Sequence, residues 1–195
     1  MSTRPSPFPN KKYSVVYADP PWNFKSWSGK GTARAAENHY DTMSVKKICA
    51  LPVADLAKKD CTLLMWATMP MLPEALQVIA AWGFKYKTVG FTWMKQNPNA
   101  PQLFTDREDI FAGMGYWTRS NCELCLLATR GKPRRSHADV RQAILSPLRE
   151  HSRKPYQIYD RIERLVHGPY IELFARAQRQ GWDAWGNQCD KFDIE

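Results

Sequence analysis

The stretch that decides the fold is "VVYADPPW", Val15 to Trp22, in which an apolar run ends at an acid and two prolines. The run from Tyr13 to Ala18 predicts a short strand that is buried on both faces, because no polar residue alternates along it with the apolar ones. The two prolines cannot continue the hydrogen bonding of a strand, so the chain must turn there. The sequence therefore places the carboxylate of Asp19 at the carboxyl end of a buried strand.

The rest of the chain alternates between apolar runs and helical patterns. Helical spacing, N-terminal caps and prolines in first turns predict three helices, and continuous apolar runs predict the further strands. Strands that alternate with helices and are apolar on both faces are typical of a doubly wound α/β sheet. The predicted strands are Tyr13–Ala18, Cys61–Thr68, Val89–Met94, Cys122–Thr129, and runs within 169–176 and 181–188; the predicted helices begin at Val45 after Ser44, near Pro73 with an end at Gly83, and after Pro155.

Length and composition indicate one domain over residues 1–195, with polar or irregular loops near 22–40, 96–121 and 130–152 that we interpret as nucleic-acid contacts. The five cysteines are odd in number and scattered, which favours a reducing compartment and a cytoplasmic protein. Cys122 and Cys125 form a C-x-x-C, but they lie in a predicted buried strand without a second pair, so we expect no metal site. Because the longest apolar runs are far shorter than a bilayer span and no signal peptide opens the chain, we expect no membrane partner.

Positive charge is concentrated in one part of the chain. The formal net charge is +9, and residues 130–154 carry eight Lys or Arg against two acids. A clustered basic stretch indicates a polyanionic partner, and nucleic acid is the first candidate. The competing interpretation is a basic surface that only keeps the protein soluble.

The residues around Asp19 suit the chemistry of an exocyclic amine on a nucleobase. Such an amine is a poor nucleophile because its lone pair is delocalised into the ring. A carboxylate from Asp19 and a carbonyl from Pro20 that accept its two N–H groups would localise the lone pair at the nitrogen. Trp22 offers an aromatic face on which a base could stack, worth about 1–3 kcal/mol. The competing interpretation is an ordinary loop, since Pro-Pro commonly marks a turn after a strand.

Several blocks of the sequence, in the same order, resemble the MT-A70 family of adenine-N6 methyltransferases. Its hallmark is Asp-Pro-Pro-Trp after an apolar strand, present here as Asp19, Pro20, Pro21 and Trp22. The resemblance continues through "HYDTMS" (39–44), "LLMWAT" (63–68), "TWMK" (92–95), "HSRKP" (151–155), "IELFAR" (171–176) and "GWDAWGNQ" (181–188). It implies S-adenosyl-L-methionine as methyl donor and a Rossmann-like methyltransferase fold with permuted strand order.

The resemblance also implies roles for individual residues. Asp19, Pro20, Pro21 and Trp22 would be catalytic, and Tyr40 would help to shape the adenine pocket; a core aromatic is the alternative for Trp22 and Tyr40. Lys95 and Glu123 are weaker candidates for the substrate site. Packing or pairing at a strand end explains these two residues about as well as a role in binding does. Lys154 would pair with the donor's carboxylate, although a solvated charge before a helix is the alternative. A surface salt bridge between Glu172 and Arg176 is the alternative for those two residues. The residues that the resemblance implies around the donor are Asp19, Lys154, Glu172, Phe174, Arg176, Asn187 and Gln188. From the basic segment we expect Arg134 and Arg135 to contact the substrate.

Three functions remain open at this point. We expect adenine-N6 methylation of DNA by a monomer or homodimer. The alternatives are methylation of RNA, and a silent nucleic-acid-binding subunit of a methyltransferase complex. The intact motif at Asp19 argues against a silent subunit, which has no need of the acceptor carboxylate.

Overall fold

In the computed structural model, residues 7–24, 42–98, 110–113, 117–150 and 153–192 are described. Within these ranges seven strands form one sheet in the order β5-β3-β4-β2-β1-β6-β7. The strands are β1 Tyr13–Ala18, β2 Ala57–Ala67, β3 Lys85–Gln96, β4 Cys122–Arg130, β5 Ala143–Pro147, β6 Tyr170–Leu173 and β7 Trp182–Trp185. The α-helices are α1 Val45–Cys49, α2 Leu72–Ala81 and α3 Gln157–Leu165, with short 3-10 turns at Val53–Asp55 and Met69–Met71.

The sheet is mixed, because β4 runs against the other strands. β1 pairs in parallel with β2 and β6, β6 with β7, and β3 with β5, whereas β4 is antiparallel to both β2 and β3. The carboxyl ends of six strands therefore meet the amino end of β4 at one edge of the sheet, which we call the carboxyl edge. The opposite edge is called the amino edge. The first strand of the chain lies near the middle of the sheet, beside the late strand β6, in agreement with the permuted Rossmann-like order.

Each face of the sheet carries its own apolar core. Along β1, Val16 and Ala18 belong to the core beneath α1 and α2, whereas Val15 and Tyr17 belong to the core beneath α3. The period of two in a strand sends successive side chains to opposite faces, so a run that is apolar throughout is buried on both. This explains why β1 and the inner part of β2 are continuous apolar runs, and it produces three layers.

The helices begin and end where their sequences indicate. The Ser44 hydroxyl accepts the backbone N–H of Lys47 at 3.4 Å, which caps α1. Pro73 lies in the first turn of α2, and Gly83 with φ of 79° follows its end. Of the helices in the described ranges, none is long and apolar enough to cross a lipid bilayer.

The structure differs from the sequence prediction at two strands. β3 begins at Lys85 rather than near Val89, because its first residues are exposed and polar and give no apolar signal. β5 lies within 130–152, which was predicted as a loop throughout. It is an edge strand that alternates buried Ile144 and Ser146 with exposed neighbours, so its apolar signal is too short to detect. Most of the predicted loops 22–40 and 96–121 lie outside the described residues.

Leu64 offers a test of this layered packing. Its side chain is fully buried in the core beneath α3, whereas Leu145 on the edge strand β5 is 42% exposed. We expect Leu64→Ala to lower the free energy of unfolding by about 2–5 kcal/mol, since it removes buried apolar surface and leaves a cavity. Leu145→Ala is the matched control and should cost less than about 1 kcal/mol. Urea denaturation measures both, and equal losses would contradict the assigned core.

Candidate active site

The turn after β1 is fixed by backbone hydrogen bonds. The Asp19 amide N–H donates to Leu173 O of β6 at 3.4 Å, and the Trp22 amide donates to Pro20 O at 2.9 Å. The Met43 amide donates to Pro21 O at 2.9 Å and ties the turn to the chain that leads into α1. The turn therefore presents the Asp19 side chain at the carboxyl edge from a backbone that is held at both ends.

Trp22 anchors this turn rather than offering a surface for stacking. Its side chain is only 5% exposed and lies in the core beneath α1 and α2. Its indole Nε1 donates to Trp66 O at 3.1 Å, which joins the turn to the end of β2. The predicted stacking face of Trp22 is not accessible in this arrangement, and the alternative, a core aromatic, describes its position.

Four charged side chains meet beside the turn. Lys154 Nζ lies 2.6 Å from Asp19 Oδ2 and 3.4 Å from Glu123 Oε2, and Lys95 Nζ lies 2.5 Å from Glu123 Oε1. The reversal of β4 explains this meeting, because it brings the amino end of β4, with Glu123, against the carboxyl end of β3, with Lys95. Trp93 pairs directly with Glu123 in the two strands. The two cations and two carboxylates form a neutral cluster.

The electrostatics of Glu123 follow from this cluster. Burial by itself raises the pKa of the carboxyl, but Lys154 and Lys95 outweigh it and lower the pKa to about 2. The ammonium groups of Lys154 and Lys95 also lie over the rings of Trp66 and Trp93, at 5.4 and 5.1 Å from the ring centroids. Glu123 is therefore ionised at neutral pH and holds both lysines near Asp19.

Glu172 behaves in the opposite way. It lies on β6, and the Tyr159 hydroxyl of α3 donates to Glu172 Oε2 at 2.8 Å. Burial raises the pKa of the Glu172 carboxyl to about 8, and the negative charge of Asp19 adds to the rise, against smaller opposing effects of Tyr159 and Lys154. Burial and the neighbouring Glu172 also raise the pKa of Tyr159 well above its usual value. Glu172 is therefore largely protonated at neutral pH in this arrangement.

A cleft opens at the carboxyl edge beside β1 and β6. The strand order reverses between β1 and β6, and ligands of open α/β sheets bind at such a switch point. The lining residues are Asp19, Arg149, Arg153, Lys154, Tyr156, Tyr159, Glu172, Phe174, Arg176, Ala177, Gln178, Arg179 and Phe192.

The wall of the cleft after β6 is a constrained turn. Phe174 has φ of 62°, a left-handed conformation that is uncommon for a residue other than glycine. A Cβ at Gly186 would lie 2.8 Å from Ala175 O, so only glycine lets the chain after β7 approach this turn so closely. The Ala175 amide donates to Trp185 O at 3.0 Å. Strained backbone of this kind is common at ligand-binding sites.

The structure brings most of the predicted site residues together. Asp19, Lys154, Glu172, Phe174 and Arg176 line the cleft, and Lys95 and Glu123 adjoin it through Lys154. Asn187 and Gln188 follow β7 at the same edge, but they are not among the residues that line the cleft. Tyr40 lies outside the described residues.

Arg134 and Arg135 are the exception. They follow β4, whose carboxyl end lies at the amino edge, where Arg130 pairs with Cys61 near the start of β2. From Glu123 to Arg130 the strand spans seven residue steps, or about 23 Å at about 3.3 Å per step. The predicted contacts of these arginines with substrate phosphates would therefore lie about 23 Å from the site at Asp19. The direction of β4, which separates the two ends of the basic segment, cannot be read from the sequence.

Sequence reasoning missed several residues of the cleft. Tyr159 was part of a predicted helix, and only its position five residues after Lys154 could have placed it near the site. The run of basic residues over 130–154 predicts one contact surface, although its two ends lie at opposite edges of the sheet. The lining residues not predicted are Arg149, Arg153, Tyr156, Tyr159, Ala177, Gln178, Arg179 and Phe192.

The fold and the site define a class of protein. A carboxylate on a turn at the carboxyl edge, beside a cleft at the switch point of a mixed α/β sheet, is typical of Rossmann-like enzymes that bind nucleotide-containing ligands. The sequence matches the MT-A70 family over residues 13–188. The chain thus belongs to the MT-A70 family, whose methyltransferases use S-adenosyl-L-methionine as methyl donor.

Curated relatives agree with this membership. The type II methyltransferase M.MunI of a Mycoplasma species is 34% identical over 205 residues, which cover 96% of this chain and 82% of that protein. The human N(6)-adenosine-methyltransferase catalytic subunit METTL3 is 29% identical, covering 92% of this chain and 28% of that protein. The Arabidopsis thaliana N(6)-adenosine-methyltransferase MT-A70-like protein is also 29% identical, covering 91% and 24%. The chain therefore spans about a quarter of the length of these two eukaryotic relatives.

The residues of the cleft fit S-adenosyl-L-methionine chemically. The donor carries an ammonium, a carboxylate, ribose hydroxyls and an adenine ring. The cleft offers carboxyl groups at Asp19 and Glu172, cations at Lys154 and Arg176, and an aromatic ring at Phe174.

Substitution of the two glutamates tests the electrostatics with opposite signs. The pKa of Glu172 is raised to about 8 from about 4.5, so between these pH values the folded protein binds more protons than the unfolded chain. The contribution of Glu172 to the free energy of unfolding is therefore full below pH about 4.5 and falls as pH rises toward 8. We expect Glu172→Gln to become more stable relative to wild type between pH 5 and pH 8, as measured by urea denaturation.

Glu123→Gln is the matched comparison. The lowered pKa of Glu123 contributes stability that is present above pH about 4.5 and is lost as pH falls toward 2. This variant should be less stable than wild type by a constant amount between pH 5 and pH 8. Parallel pH profiles for Glu172→Gln and wild type would contradict the assigned protonation of Glu172.

Proposed function

We propose that this chain transfers a methyl group from S-adenosyl-L-methionine to the N6 amino group of adenine in DNA. The observation that carries the proposal is the Asp19 carboxylate, held at the carboxyl edge beside the cleft and paired with Lys154 at 2.6 Å. The similarity to a type II methyltransferase supports DNA as the substrate, and the similarity to N(6)-adenosine-methyltransferases supports the N6 amino group. Family membership supplies the class of reaction.

Asp19 and Pro20 are the groups that would hold the target amine. The Pro20 carbonyl already accepts the Trp22 amide at 2.9 Å, and a carbonyl oxygen has a second lone pair for another donor. An Asp19 carboxylate oxygen accepts the other N–H of the amine. Both contacts favour localisation of the nitrogen lone pair. The rigid turn holds the two acceptors in place before the substrate arrives.

The proton balance of the reaction assigns a second task to Asp19. The donor supplies the methyl group, and the new N–C bond forms as the bond from carbon to the sulfonium sulfur breaks. The nitrogen then carries a positive charge and an acidic proton, which the carboxylate of Asp19 can accept and pass to water. Lys154 holds the Asp19 carboxylate in position beforehand, because its Nζ lies 2.6 Å from Asp19 Oδ2. No covalent bond between enzyme and substrate is needed.

Removal of Asp19 tests the chemistry. We expect Asp19→Ala to lower the rate of methyl transfer to plasmid DNA by about 10²–10⁴-fold, the usual contribution of a positioned acid–base group. Transfer of tritiated methyl groups measures the rate, and calorimetry should show that S-adenosyl-L-methionine still binds. Asp139→Ala, which removes an exposed carboxylate from the amino-edge side, is the control and should be fully active. More than a tenth of wild-type activity in Asp19→Ala would contradict the role of Asp19.

The same assay distinguishes the substrates. Parallel reactions with plasmid DNA and with total RNA compare DNA with the RNA alternative at equal adenine concentration. Sequencing of the methylated product maps N6-methyladenine directly. Faster transfer to RNA than to DNA would overturn the DNA assignment and leave the chemistry of Asp19 intact. No transfer to either would indicate a silent subunit.

Lys154 tests the donor site. We expect Lys154→Ala to weaken binding of S-adenosyl-L-methionine by about 1–3 kcal/mol, since a charge-assisted contact to the donor's carboxylate is lost. Calorimetry with the donor alone measures the change. Lys46→Ala on α1 removes an exposed ammonium and should bind the donor as wild type does. Unchanged affinity in Lys154→Ala would indicate that another cation of the cleft contacts the donor's carboxylate.

A further inference from the structure

Six exposed basic residues lie at the amino edge, at the opposite end of the strands from the cleft. They lie at the start of β2, at the start of β3 and in the chain that follows β4, three neighbouring strands of the sheet. A Cβ at Gly131 would lie 2.3 Å from Lys59 O, so the chain after β4 touches the start of β2. We call this group the amino-edge surface; its members are Lys58, Lys59, Lys85, Lys132, Arg134 and Arg135.

The backbone of the amino-edge surface is well anchored. The Lys132 amide donates to Asp60 Oδ1 at 2.7 Å, and the Ser136 amide donates to Leu165 O at the end of α3 at 2.7 Å. The residues between these two contacts include Arg134 and Arg135, which are both exposed. The segment therefore presents its cations from a fixed position between β2 and α3.

The charges of this surface are not balanced by the protein. None of the six side chains forms an ion pair with a carboxylate of the described residues. Asp60, which accepts the Lys132 amide, sets one negative charge against the six positive ones, and Asp139 pairs with Arg164 at 2.5 Å. Like charges that lack counter-ions repel one another, and a polyanion relieves that repulsion. The surface is thus suited to a row of phosphates.

We propose that the amino-edge surface is a second, non-catalytic binding site for the phosphate backbone of duplex DNA. The proposal rests on the proposed function, because it assumes that DNA is the substrate. The two edges lie about 23 Å apart along β4, and duplex DNA stays nearly straight over a few tens of ångströms. We take the substrate duplex to cross the carboxyl edge at Asp19, so that a straight duplex does not reach Arg134 at the opposite edge. The amino-edge surface therefore binds a different segment of a long DNA molecule.

A second contact of this kind changes how the enzyme uses long DNA. Holding a distant segment of the same molecule raises the local concentration of target sites without a new contact at Asp19. The effect disappears on a duplex that is too short and stiff to bend back on itself. A duplex of about 30 base pairs extends about 50 Å to either side of its centre, at about 3.4 Å per base pair, but is far shorter than the persistence length of about 150 base pairs. It could touch the amino-edge surface only as the substrate duplex itself.

The experiment compares short and long DNA. Duplexes of about 30 base pairs with randomised sequence and a linearised plasmid are used at equal base-pair concentration. We expect Arg134→Ala/Arg135→Ala to raise KM for the plasmid about tenfold and to leave kcat, and both constants for the short duplexes, unchanged. The salt dependence of plasmid binding should become shallower by about two units, one for each lost phosphate contact.

Lys46→Ala/Lys47→Ala is the matched control, because it removes two exposed cations from α1, outside the amino-edge surface. It should change neither KM nor the salt dependence. An equal rise in KM for the short duplexes and the plasmid in Arg134→Ala/Arg135→Ala would overturn the proposal. The arginines would then contact the substrate duplex itself. An unchanged KM and salt dependence for the plasmid would overturn it as well and indicate a solubilising surface.

Two further outcomes separate this inference from the proposed function. If polyglutamate competes with the plasmid as strongly as unmodified DNA does at equal charge, the surface fits an acidic protein rather than DNA. If wild type methylates neither DNA, the proposed function fails, and the salt dependence of plasmid binding still tests the surface. Active wild type with an unaffected double variant contradicts only the second site.

Discussion

The ion pair between Lys154 and Asp19 is the contact on which the rest of the site depends. It joins two residues that are 135 positions apart, and the two side chains are only 11% and 21% exposed. Since the Asp19 amide also binds Leu173 O, the pair connects the chain before α3 to β1 and β6 at once. Charges this far from water are costly to leave unpaired, so loss of either partner leaves the other with an uncompensated charge. The cleft is built around that constraint.

Two glutamates on either side of this pair differ in charge for a physical reason. Glu123 contacts two ammonium groups, which overcome the cost of its burial and keep the pKa near 2. Burial raises the pKa of Glu172 to about 8, and the negative charge of Asp19 adds to the rise. The hydrogen bond from Tyr159 opposes this rise only in part. Lys154 consequently has two charged carboxylates to bind rather than three. A donor carboxylate that enters the cleft would compete with Asp19 and Glu123 for this one ammonium, which would free Asp19 for the target amine.

Sequence reasoning succeeded where the signal was local. The apolar run of β1, the cap at Ser44 and the proline and glycine at the ends of α2 all lie where the sequence predicted them. It failed where the direction of a strand or the burial of a side chain had to be known. Nothing in "CELCLLATRG" shows that β4 runs against its neighbours, so the position of Arg134 could not be predicted. An aromatic after two prolines looks the same whether it faces a ligand or, as Trp22 does, the core.

The reversal of β4 has consequences at both ends of that strand. At the carboxyl edge it brings Glu123 to Lys95 and Lys154; a parallel strand would have placed Glu123 at the opposite edge and left the two lysines and Asp19 with an excess positive charge. At the amino edge the same reversal places the basic residues that follow Arg130 beside the exposed starts of β2 and β3. One antiparallel strand therefore both neutralises the site and separates it from the amino-edge surface. A long DNA molecule can occupy the two edges together only if they bind different segments, because the sheet itself stands between them.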